Sequence, residues 1–141
     1  MKEILAWLMI WLGTNTYFNA DHPQPNVVLL PQAEMNALYY YKDNDHEPDS
    51  LMGLYDKERD LIILPDDWDH TDPFDVSVLL HELIHYLQDV NGMTFECTAE
   101  MEKDAWPIQE MFLKKVYDYD WEYDKLWYLM ISNCDPEYFL F

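Results

Sequence analysis

Basic side chains are scarce in this chain: eight lysines and arginines stand against 28 aspartates and glutamates, a formal net charge of −20 over 141 residues. A surface of that sign repels the phosphate backbone of nucleic acids and offers no basic patch to anionic headgroups, so neither is expected as a partner. Cysteine is scarce as well. Cys97 and Cys134 are the only two; they lack the Cys-x-x-Cys spacing of structural zinc sites, and the sequence leaves open whether they are free thiols or one bridge. Apolar runs are short. The run Ile4 to Leu12 cannot span a bilayer. It follows Lys2 in the manner of a secretory signal, but Glu3 interrupts the charged start, Trp7 and Trp11 are bulky, and no convincing small-x-small cleavage site follows. A helix of the mature fold is therefore expected, which favours a cytoplasmic location and leaves secretion open.

No internal repeat, low-complexity tract or linker divides the chain, so one domain over residues 1–141 is expected. Half the residues are hydrophobic and 16% are aromatic, enough to build a core without a disulfide framework.

The first helix is expected to end at Gly13, a residue suited to a left-handed cap. Val27 to Leu30 reads as a strand stopped by Pro31, and Gln32 to Tyr41 as a short helix. After a polar loop from Lys42 to Ser50, the runs Leu51–Tyr55 and Leu61–Leu64, separated by Asp56-Lys57-Glu58-Arg59-Asp60, read as an antiparallel hairpin. Asp72 to Gly92 is the best-defined helix: Asp72 is placed to cap, Pro73 occupies the first turn, Asp75 lies three residues past the cap, and Gly92 ends it. A further helix from Thr98 to about Tyr117 must accommodate Pro107, and an aromatic segment from Trp121 to Ile131 closes the domain. The expected class is α+β and helix-dominated, with a short antiparallel sheet packed on the long helix.

That helix carries His81-Glu82-Leu83-Ile84-His85. Residues four apart differ by about 40° in azimuth and about 6 Å in rise, so both imidazoles can point at one metal ion. Glu82 reaches the same place without being a ligand, as a general base should. Two imidazoles and one carboxylate suit zinc, one ion per chain, with a position left for water.

The third ligand must come from the following acidic helix, where Glu100 and Glu102 are the candidates. The apolar stripe Met101, Ala105, Ile108, Phe112 puts Glu102 about 60° from Ala105 and Glu100 about 140° away, so Glu102 faces inward more readily. Gln88 and Asp89, three and four residues past His85, either border the site or sit on the helix surface. His22, His46 and His70 read as loop residues.

His81-Glu82-x-x-His85 with a downstream glutamate helix resembles the gluzincin metallopeptidases. Glu102-Lys103-Asp104-Ala105-Trp106-Pro107-Ile108-Gln109 is similar to the pattern around the third ligand in that family and implies Glu102; a second register, Glu100-x-Glu102-x-Asp104, implies Glu100 with Asp104 supporting a histidine. The resemblance covers roughly Gly53 to Phe112 and implies a small zincin-like domain. It further implies a zinc metallopeptidase acting on a peptide or protein, with His81, His85 and Glu102 holding zinc and Glu82 as base. The alternative is a catalytically silent protein of the same fold that binds a partner or regulates it through the acidic surface. Glu82 favours the enzyme, since a structural zinc needs no free carboxylate beside its histidines.

Overall fold

The computed structural model describes residues 1–41 and 51–134. Its elements in chain order are α1 (Lys2–Asn15), β1 (Asn26–Leu30), α2 (Gln32–Tyr41), β2 (Leu54–Asp56), β3 (Leu61–Pro65), α3 (Pro73–Val90), a 3-10 turn (Thr98–Met101), α4 (Glu102–Tyr117) and α5 (Lys125–Ile131). The chain is a small α+β domain dominated by helix. His46 and the other residues of the expected 42–50 loop lie outside the described residues.

The sheet is mixed, which corrects the all-antiparallel expectation. β2 and β3 form the antiparallel hairpin, with Tyr55 opposite Ile62, and Asp60 adopts a left-handed φ of 47° in its turn. β1, however, runs parallel to β3, Val27 opposite Ile62, and the strand order is β1-β3-β2. The turn lays β3 into the slot between the other two strands. A parallel pair requires a long return, and the stretch of chain between Leu30 and Leu61, which includes α2, is long enough to make one. As the central strand, β3 is covered on both faces: Ile62 and Leu64 join the main core, and Ile63 is buried on the other side.

α3 is the hub. The Asp72 side chain accepts a hydrogen bond from the Phe74 amide at 2.9 Å, Pro73 sits where no N–H partner is needed, and Gly92 closes the far end at φ 71°. The Met93 and Gly92 amides donate to the Gln88 and Asp89 carbonyls, completing that cap. Between the caps, Leu79, Leu80, Leu83, Ile84 and Leu87 are fully buried, each stabilising the fold by roughly 1.5–3 kcal/mol. Helix α3 packs on α1, β2, β3 and α4, and this is what fixes the direction of the histidines it carries.

One local expectation fails and another is refined. Helix α1 passes through Gly13 and stops at Asn15, because Thr14, Asn15 and Thr16 side chains donate back to the Ile10, Trp11 and Leu12 carbonyls. Gly13 serves close packing instead: a Cβ there would stand 3.2 Å from the Ala20 Cβ. The 98–117 helix is in two parts, a 3-10 turn and then α4, and Pro107 lies inside α4. Proline cannot donate to the carbonyl four residues back. That carbonyl, of Lys103, accepts a hydrogen bond from the Tyr128 hydroxyl at 2.7 Å instead.

Candidate metal centre

His81 and His85 stand one turn apart on α3, their ring centroids 4.9 Å apart. The first turn of α4 brings Glu102 against both: Oε2 lies 2.9 Å from His81 Nε2, and Oε1 lies 3.0 Å from His85 Nε2. Glu100 is elsewhere. Its carboxylate accepts from the Glu96 amide at 3.3 Å, and the 3-10 geometry of Thr98–Met101 turns it away from α3. Asp104, placed beside a histidine by the second register, instead accepts a hydrogen bond from the Tyr17 hydroxyl.

The histidines are held from behind by two glutamines. Gln88 faces His85 Nδ1 through Oε1 at 2.9 Å, and its amide nitrogen donates to the Met101 carbonyl at 2.9 Å. A carbonyl can only accept, so the Gln88 amide has one orientation and His85 Nδ1 must carry the proton. Gln109 Oε1 faces His81 Nδ1 at 2.7 Å, its nitrogen donates to Ser77 Oγ at 3.0 Å, and Ser77 donates to the Phe74 carbonyl at 2.6 Å. This relay also ends on a carbonyl, and the same logic puts a proton on His81 Nδ1. Both Nε2 lone pairs are therefore aimed at Glu102, the orientation that ligating histidines need.

Three electron-rich groups now face one another, and like partial charges at this spacing repel unless a cation lies among them. A proton meets part of that demand in the metal-free chain. Burial pulls the His85 imidazole down, but the Glu102 carboxylate, with Glu82 and Gln88 beside it, carries it up to about 9. Burial pushes the Glu102 carboxyl up, but the two histidines outweigh it and hold it well below the usual carboxylate range. Glu102 Oε2 is nonetheless buried without a hydrogen-bond partner, despite its 2.9 Å approach to His81. An orphaned carboxylate oxygen beside the His81 lone pair, with a second imidazole at the other carboxylate oxygen, fits a divalent metal, and the nitrogen and oxygen donor set fits zinc.

Glu82 is 8% exposed, and burial raises its pKa, with His81 and His85 opposing. It lies under Gly53, where a Cβ would stand 3.0 Å from Val78 Cγ1 and 3.1 Å from Glu82 Cγ. A cavity of about 240 Å³ opens on the His85 side, past Tyr55 and Thr98. A second, of about 520 Å³, opens on the His81 side, past Val78, Trp106 and Trp121. Glu82 and Glu102 line both, so the cluster sits at the middle of a cleft.

The remaining candidates lie elsewhere. Asp89 accepts from Tyr55 at 2.8 Å and pairs with Lys57; His22 contacts Asn91, and His70 lies near Met1 and Glu3. Cys97 and Cys134 form a disulfide. Sequence reasoning gave no role to Gln109 or Ser77, although Gln109 follows Glu102 by two helical turns and so shares its face. Among the described residues no helix is long and apolar enough to cross a membrane. The sequence matches the family model described as Domain of unknown function (DUF6647) over residues 1–138, while no curated protein and no solved structure matches it.

Proposed function

The chain belongs to that family, and we propose that it is a zinc-dependent hydrolase of peptide bonds with a zincin-like site, as the gluzincin resemblance implies. The observation that carries this reading is the convergence of His81 Nε2, His85 Nε2 and the Glu102 carboxylate at 2.9–3.0 Å, with Glu82 beside them in an open cleft. His81, His85 and Glu102 would hold the ion. When bound, zinc supplies a Lewis acid that polarises a carbonyl and acidifies a water molecule.

The chain's own groups perform the proton transfers. Burial makes Glu82 a stronger base than an exposed carboxylate, which brings it closer to neutral pH, where a general base works best. Glu82 takes the proton as water adds to the carbonyl carbon, then passes it to the amide nitrogen as the C–N bond breaks, leaving a carboxylic acid and an amine. Gln88 and Gln109 keep both imidazoles in one tautomer, and Gly53 leaves room for the Glu82 side chain under the β2 edge.

The test is to purify the chain and its Glu82→Gln variant without chelator, measure zinc by elemental analysis, and present both to a mixed peptide library. About one zinc per chain in each, with cleavage by the parent alone, is expected. Zinc without cleavage in either would support a silent protein that acts through its acidic surface. A folded protein that binds no zinc would overturn the reading.

A further inference from the structure

The cavity on the His81 side is not closed by α3 and the sheet. Its far wall is Trp121 and Ile131, from the segment that follows α4. This segment is weakly seated. Helix α5 buries none of its own residues, and Leu126, Trp127 and Leu129 are 53%, 54% and 40% exposed.

Its front half is held by aromatic contacts to Trp106, stacked on Trp121 at 5.4 Å and edge-on to Tyr123 at 5.0 Å. The Tyr128 hydroxyl adds the bond to the carbonyl that Pro107 leaves free. Beyond Tyr128, where Ser132 is buried, the covalent fastening is the disulfide, which joins Cys134 to Cys97, the residue capping the 3-10 turn that leads to Glu102. Both cysteines are half-buried and so within reach of a reductant.

We propose that the Cys97–Cys134 disulfide is a redox latch that holds the strap Trp121–Cys134 against the cleft. The wall that receives a bulky apolar substrate side chain is then complete only while the bond is intact. The substrate part of this inference rests on the proposed function; the latch itself does not. Reduction by a dithiol breaks the S–S bond, delivers two electrons and two protons to give a thiol at each cysteine, and oxidises the dithiol to its own disulfide.

The metal cluster is expected to survive, because His81 and His85 sit on a capped, buried helix and Glu102 on α4, which Ala105, Gln109, Phe112 and Leu113 anchor independently of Cys97. Glu96 and Glu100 lie beside Cys134 and repel anionic thiols, so an uncharged dithiol is the reagent to use. The latch would be closed in oxidising compartments and open in reducing ones.

The experiment uses the full zinc-loaded chain, oxidised, reduced with an uncharged dithiol, and as the Cys97→Ser/Cys134→Ser variant. Hydrogen exchange is followed by segment, and cleavage is compared on peptide pairs differing only in Phe or Ala beside the cleaved bond. Amides of α5 should exchange about tenfold faster or more after reduction and in the variant, while α3 stays protected and zinc stays bound. The preference for Phe over Ala should fall with them. Unchanged exchange in α5 would overturn the latch, as would loss of α3 protection together with it, since the bond would then hold the whole fold. Should no form cleave any peptide, the exchange data still decide the latch, and only the hydrolase reading falls.

Discussion

Replacing Gln109 by leucine tests the relay behind His81 while keeping the side chain close to its original volume. The parent glutamine is 3% exposed and spends both polar atoms, accepting from His81 Nδ1 at 2.7 Å and donating to Ser77 at 3.0 Å. Leucine leaves the Nδ1 proton without an acceptor and frees the ring to turn, so Nε2 is no longer held on the metal position. Loss of such a partner lowers metal affinity by about 10- to 100-fold, or roughly 1.4–2.8 kcal/mol at 1.4 kcal/mol per decade. An unpaired buried donor also costs the metal-free fold about 1–3 kcal/mol. The cavity beside Gln109 lets water reach the Nδ1 proton, so the lower half of that range is expected. Zinc competition against a chromophoric chelator reads the first quantity and chemical denaturation of the metal-free protein reads the second. Gln109→Glu is the control, because a carboxylate still accepts from Nδ1 and the Ser77 hydroxyl can turn to donate to it. That variant should bind zinc about as tightly as the parent or more tightly. Zinc affinity within about twofold of the parent in Gln109→Leu would refute the relay, whatever happens to stability.

Gly53→Ala should push on Val78 and Glu82 and, on the proposed function, lower kcat/KM by about 10- to 100-fold through displacement of the proposed base. Zinc content should be unchanged, and a matching fall in zinc would mean that the strand, not Glu82, had moved. Asp72→Ala removes the cap on the Phe74 amide and should cost about 1 kcal/mol in denaturant unfolding; no measurable loss would show that water replaces the cap. In the metal-free protein the raised His85 pKa contributes stability that is complete below its ordinary 6.5 and is lost as pH rises through about 9. The lowered Glu102 pKa contributes stability present above its ordinary 4.5 and lost as pH falls below it. Stability of the metal-free chain should therefore peak between these two ordinary values and fall towards alkaline pH. Zinc binding at pH 7.5 should displace about one proton per chain. Titration calorimetry in two buffers of different ionisation enthalpy checks this, and zero release would contradict a protonated His85.

What the sequence made legible is what local geometry governs. The spacing of His81 and His85, the Asp72-Pro73 start and the Gly92 stop of α3 all follow from one turn of helix and its two ends, and tertiary packing only adds to them. The choice between Glu100 and Glu102 was legible in direction but not in mechanism. Azimuths around one regular helix do not apply here, because Glu100 lies in a 3-10 turn of different pitch and Glu102 opens α4. Gly13 misled because a cap signal and a close-packing signal are the same letter; the Ala20 contact that distinguishes them comes from the loop after α1. The parallel pairing of β1 with β3 was beyond a strand-by-strand reading, since each strand looks alike whichever neighbour it finds.

Pro107 shows the same limit at the residue that matters most for the cleft. Read locally, it should kink α4 or break its hydrogen bonding soon after Glu102 and loosen the helix that carries the proposed third donor. The helix continues through it, because the proline lies within the stretch that Ala105, Gln109 and Phe112 bury. The carbonyl that it deprives of a partner is taken by a hydroxyl on α5. The proline thereby leaves a docking point for the strap on the same helix face as Trp106, the hub of the aromatic cluster. Tyr128→Phe removes that bond, and with it the hydroxyl's contact with Ser132, while keeping the ring against Trp106. If the docking argument holds, it should speed exchange in α5 of the oxidised protein by less than reduction does, since the disulfide still ties the strap. Equal effects would mean that the hydroxyl, not the disulfide, sets the position of the wall.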